Sequence, residues 1–151
     1  MLKIKETAML LLLFATAVFS GCKAPVIIGH STSFGHCVGY CNKELMISNH
    51  DLTYVQRKNG NNPEEKKCTQ PLSRDIYNKV LSQFDINSFL LLDSVIGCPD
   101  CADGGAEWLE VKSGNTVKKV TFEYNKVPEK FKSAVVEIRK LEAGMEACKS
   151  E

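Results

Sequence analysis

The sequence predicts an α+β fold, a two-layer domain with an antiparallel sheet and helices packed on one face, in the order ββ(β)αββα. Three observations carry that prediction. Two pairs of short alternating runs flank polar turns, as half-buried hairpin strands do. Two further segments repeat apolar residues at helical spacing, each downstream of a hairpin. Finally, 151 residues with 44% hydrophobic content suffice for one core and a single domain.

In the first hairpin, Leu45 and Ile47 alternate with Glu44 and Met46, then Leu52 and Tyr54 with Thr53 and Val55. Ser48, Asn49, His50 and Asp51 supply the turn. Residues 58–65 are polar and broken by Gly60 and Pro63, and a third short strand follows around 67–70. Ser73 is placed to cap a helix, with Asp75 in the first turn where it complements the helix dipole. Ile76, Val80, Leu81 and Phe84 form its apolar stripe. Residues 85–88 interrupt that pattern, and 89–92 read as a further turn packed on the core.

The second hairpin joins 107–112 to 116–124 through Ser113, Gly114 and Asn115. Val120, Phe122 and Tyr124 share one of its faces. Pro128 suits the first position of the last helix, along which Phe131, Val135, Ile138, Leu141 and Met145 form one stripe. The whole chain carries 19 Lys+Arg and 18 Asp+Glu. That balance lacks the basic face by which nucleic-acid binders are recognised, so no such partner is expected.

The N-terminus reads as an address. Lys3 and Lys5 precede an unbroken apolar run over residues 8–19. As a helix it would span about 18 Å, short of the ~30 Å hydrocarbon core, which predicts a signal peptide over 1–21 in place of a membrane anchor. Phe19-Ser20-Gly21-Cys22 resembles a bacterial lipobox, with Phe19 where such motifs usually carry Leu. The resemblance implies that Cys22 becomes residue one of the mature chain, with diacylglycerol on its sulfur and an acyl chain such as palmitate on its amine. Without residues 1–21, 17 basic and 17 acidic residues remain. Membrane attachment then falls to the lipid, each buried CH₂ contributing about 0.8 kcal/mol. Lys23 in place of Asp resembles outer-membrane sorting, and the periplasmic face is expected. Residues 22–33 read as a lipidated tether in which Val26, Ile27 and Ile28 could add an edge strand. The folded domain is expected over 34–148, with a tail at 149–151.

Six cysteines remain: Cys37, Cys41, Cys68, Cys98, Cys101 and Cys148. An even number in an exported chain favours disulfides, because the periplasm is oxidising. The spacings permit local Cys37–Cys41 and Cys98–Cys101 bridges, leaving Cys68 and Cys148 to pair across the fold. A loop that long could contribute about 4–5 kcal/mol when closed. The expectation for Cys98 and Cys101 is an oxidised, structural bridge that resists glutathione. One alternative joins Cys37, Cys41, Cys98 and Cys101 in a four-thiolate zinc site. Another is redox chemistry, since Cys98-Pro99-Asp100-Cys101 resembles the CxxC of glutaredoxin-like enzymes. Residues 102–106 cannot begin the helix that lowers the first thiol's pKa there. Asp100, Asp103 and Glu107 form a remote calcium option.

No assembled catalytic constellation is legible. His30, His36 and His50 fall in the tether or in turns, and no serine sits in a Gly-x-Ser-x-Gly elbow. His36 beside Cys37 would point the opposite way in an extended chain. Trp108 and Tyr40 are expected in the core. The motifs over residues 34–41 (FGHCVGYC) and 97–108 (GCPDCADGGAEW) resemble those of a family of small exported bacterial lipoproteins that carry a domain of unknown function. The likeness runs over most of 34–141 and implies no chemistry. The expectation is a non-enzymatic lipoprotein, needing no cofactor, that binds or inhibits another envelope protein.

Overall fold

The computed structural model describes residues 24–145. Seven strands form one sheet in the order β4-β3-β2-β1-β6-β7-β5. They are β1 (Val26–Ser33), β2 (Tyr40–Ile47), β3 (Asp51–Lys58), β4 (Glu65–Pro71), β5 (Val95–Ile96), β6 (Ala106–Ser113) and β7 (Thr116–Glu123). Every neighbouring pair is antiparallel except β5 with β7. Among the described residues, three α-helices complete the fold: α1 (Arg74–Gln83), α2 (Ile86–Leu90) and α3 (Lys132–Gly144). The α+β class and both hairpins are as the sequence predicts.

The main correction concerns residues 26–33. They are neither tether nor edge strand: β1 sits in mid-sheet, paired with β2 on one side and β6 on the other. The sequence hides this because β1 carries Gly29, His30, Ser31 and Thr32, a polar run with weak strand alternation. Ile28, His30 and Thr32 nonetheless point to the helix side, among Leu45 and Ile47 of β2 and Leu109 and Val111 of β6. The sheet therefore includes Val26, only four residues beyond Cys22.

Local chemistry sets the helix boundaries. The Ser73 hydroxyl accepts the Ile76 N–H and starts α1, and Asp85 caps α2 by accepting the Ser88 N–H. The buried residues of α1 are Tyr77 and Val80, with Phe84 just beyond. Ile76, expected on the inner stripe, is partly exposed. Tyr77 takes that place because its hydroxyl donates to the Val26 carbonyl at 2.8 Å, tying α1 to the start of β1. Pro128 does not open α3 directly. It precedes a 3₁₀ turn over Glu129–Phe131, and α3 follows with Ala134, Val135 and Ile138 buried. Among the described residues, no helix is long and apolar enough to cross a membrane.

Candidate functional site

Two assemblies arise from this topology, one exposed at an end of the sheet and one buried beneath α3. The exposed one forms because β1 and β6 are antiparallel neighbours, with Ser33 opposite Ala106. The segment leaving β1 and the segment entering β6 therefore meet, although some 60 residues of chain separate them. Both are closed by disulfides, Cys37–Cys41 and Cys98–Cys101, with Cα separations of 5.7 and 5.5 Å. Phe34 stacks edge-on against Tyr124 with centroids 4.8 Å apart. His36 Nε2 stands 3.5 Å from Asp103 Oδ1, both side chains largely exposed.

The first loop is propped from below. Ser33 donates to Asn42 Oδ1 at 2.7 Å, and Asn42 Nδ2 donates to Asn59 Oδ1 at 2.9 Å. Asn59 Nδ2 in turn donates to the carbonyls of Phe34 and Gly35 at 3.0 and 2.9 Å. The Phe34 N–H closes the loop on the Cys41 carbonyl. Inside this frame, Val38 is fully exposed at the tip of the disulfide ring. An exposed branched aliphatic side chain on a braced ring is a pre-ordered contact, which loses little conformational entropy on binding.

The second loop turns through left-handed backbone. Gly97 (φ +72°), Asp100 (+61°), Ala102 (+53°), Asp103 (+57°) and Gly105 (+80°) all have positive φ. A Cβ on Gly105 would lie 2.5 Å from the Phe34 ring and 3.1 Å from the Ser33 carbonyl. Gly105→Ala is therefore expected to destabilise the domain by about 2 kcal/mol or more, combining a left-handed penalty with displacement of Phe34. Gly104, at φ −73°, supplies the control. Gly104→Ala should cost less than half as much in a urea titration, and equal costs would contradict the argument.

The sequence-derived site residues divide accordingly. Cys37, Cys41, Cys98 and Cys101 come to one end of the fold as two oxidised pairs. As disulfides their sulfurs offer no thiolate, so a four-cysteine zinc site would first need both bridges reduced. Cys68, on β4, is also disulfide-bonded. Its expected partner Cys148 and the lipidation residue Cys22 lie outside the described residues. The calcium option fails on Glu107, whose carboxylate is fully buried and bonded away from Asp100 and Asp103. Tyr40 and Trp108 are not in the helix-covered core. Tyr40 is half-buried, with its hydroxyl on Glu64 and the ammonium groups of Lys58 and Lys66 over its ring. Trp108 lies on the uncovered face of the sheet beneath Lys119, whose Nζ is 3.9 Å from the ring centroid. A strand residue on the wrong side of the pleat cannot reach the helices, whatever its hydrophobicity.

The buried assembly escaped the sequence reading because its members are far apart in the chain. His30, expected in a tether, is buried at the centre of the sheet. Its Nε2 is 2.7 Å from Glu107 Oε1, and its Nδ1 is 3.5 Å from Glu142 Oε2 on α3. Arg139 of α3 donates to both Glu107 oxygens at 2.9 and 2.8 Å, and the Asn125 N–H donates to Oε2 at 2.9 Å. Tyr54 donates to Glu142 at 3.4 Å. Burial pushes the His30 pKa down, but its bonds to Glu107 and Glu142 more than reverse this and leave it raised. Burial likewise pushes Glu107 up, and the His30 and Asn125 bonds with the Arg139 charge leave it lowered. A buried imidazole flanked by two carboxylates, one clamped by arginine, is a polar lock between sheet and helix. It has no solvent-facing reactive atom on the histidine. No protein-family model matches this chain, and no curated protein matches it either.

Proposed function

We propose that this chain is a lipoprotein of the bacterial cell envelope, anchored through Cys22 in the outer membrane and facing the periplasm. Its domain acts there as a non-enzymatic binding or inhibitory module. The observation that carries this reading is the meeting of the two disulfide-closed loops, with Val38 presented on the braced ring. These loops coincide with the two motifs that resemble the small exported lipoproteins. The anchor geometry supports it as well. Four residues span at most about 14 Å, so the lipid would hold the Val26 end of β1 close to the bilayer. The strand then runs away from it toward Ser33 and the loops.

Two measurements test the reading. Cys22→Ala should abolish palmitate labelling and move the protein out of the membrane fraction; retained label or unchanged fractionation would refute the anchor. A photo-crosslinking amino acid at position 38 of the full-length protein should give a discrete envelope-protein adduct in intact cells. The same group at partly exposed position 76, on α1, should not. Adducts at 76 and none at 38 would move the binding face elsewhere.

A further inference from the structure

We propose that the Cys98–Cys101 bridge is a dithiol–disulfide exchange site, an electron acceptor for a neutral or basic dithiol. The inference goes beyond the binding role and does not depend on it. Two features of the turn favour exchange, and a third bears only on which donor it accepts. First, Cys98 and Cys101 are both exposed, so an incoming thiolate can approach either sulfur, whereas in the Cys37–Cys41 bridge Cys37 is exposed and Cys41 is buried. Second, three non-glycine residues in and beside the ring, Asp100, Ala102 and Asp103, are held left-handed, a conformation that L side chains adopt at a cost. The hairpin-like bonds Asp100 N–H to Gly105 O and Cys101 N–H to Cys98 O close around them. Opening the bridge frees these residues to relax, which favours the reduced form. Third, no helix begins at Cys98. The Cys98 N–H donates to the Glu123 carboxylate, and Asp100 and Asp103 are the other anionic side chains of the turn. Lys126 on Glu123 is a counter-charge, and the His36 imidazole stands beside Asp103.

That setting differs from a thioredoxin-type nucleophile, where a helix N-terminus stabilises the thiolate. Here the stored backbone strain makes the oxidised form the reactive one. The donor's thiolate attacks one bridge sulfur, forming a mixed disulfide and releasing the other sulfur as a thiolate, which takes up a proton. The donor's second thiolate then displaces the first cysteine, which is protonated in turn. Two electrons pass to the bridge, Cys98 and Cys101 end as thiols, and the donor leaves as a disulfide. The acidic rim disfavours anionic thiols such as glutathione and favours neutral or basic dithiols.

The test is a redox titration of the full-length protein in detergent, in buffers of reduced and oxidised dithiothreitol. Free thiols are trapped by alkylation and each bridge is read separately by mass spectrometry. Cys98 and Cys101 should become alkylated at a reduced-to-oxidised ratio at least ten-fold below that needed for Cys37 and Cys41. Ala102→Gly, which changes no charge and removes one left-handed penalty, should make the Cys98–Cys101 bridge about five-fold harder to reduce. It should leave Cys37–Cys41 unchanged. Reduction of both bridges together, or an unaltered ratio in Ala102→Gly, would overturn the proposal and return the bridge to a static role.

Discussion

Glu107→Ala is expected to lower the stability of the domain by about 3–5 kcal/mol, because it strands His30 in the core and releases the Arg139 clamp. The lower end of that range applies, since Arg139 is partly exposed and can return to water while His30 can shed its proton. Glu107→Gln keeps the side-chain volume and an acceptor for the Asn125 N–H, so roughly half the loss is expected. Chemical denaturation of the three proteins at constant pH orders them. A Glu107→Ala loss below about 1 kcal/mol would mean that the lock adds nothing beyond its own desolvation cost.

The same lock gives the domain a pH signature. His30 is raised above its ordinary 6.5, so its contribution is complete below that pH and disappears as pH rises through the folded value. Glu107 is lowered from its ordinary 4.5, so its contribution is present above that pH and disappears as pH falls through the folded value. Together they favour the folded state most between about pH 4.5 and 6.5. A melting series should show stability falling on the alkaline side in the natural protein, with that fall flattened in His30→Gln. Parallel slopes in the two proteins would assign the pH dependence to other groups.

Phe131→Ala should cost a comparable 3–5 kcal/mol, or about 10–20 °C in melting temperature. Phe131 is buried between Phe84 at the end of α1 and Phe89 in α2, with ring centroids 5.2 and 5.5 Å away, and Phe84 lies 5.1 Å from Phe89. This triangle is where the segments carrying α1, α2 and α3 join. Its loss leaves a cavity that three separately anchored backbones cannot collapse to fill. Phe84→Ala combined with Phe131→Ala should cost less than the sum of the two, because the second truncation enlarges a cavity that already exists. Strict additivity would show that the rings do not pack as one unit.

Periodicity made the two hairpins, the capped α1 and most of the α3 stripe legible, because alternation and helical spacing are properties of neighbours in the chain. The same locality made the Cys37–Cys41 and Cys98–Cys101 bridges readable, since residues three or four apart cannot help being close. Where locality ended, so did the reading. Residues 26–33 look like a tether because His30, Ser31 and Thr32 are polar. They become the central strand only because Glu107 of β6 and Glu142 of α3 satisfy His30 across the fold, with Arg139 of α3 clamping Glu107. Ile76 and Tyr77 exchanged roles through one hydrogen bond to β1, and Trp108 fell on the uncovered face because strand pairing fixes which way alternate residues point. The sequence alone determined the class and the two closed loops. Tertiary structure decided that those loops meet and that a buried histidine locks the last helix to the sheet, since both depend on antiparallel β1–β6 pairing between segments far apart in the chain.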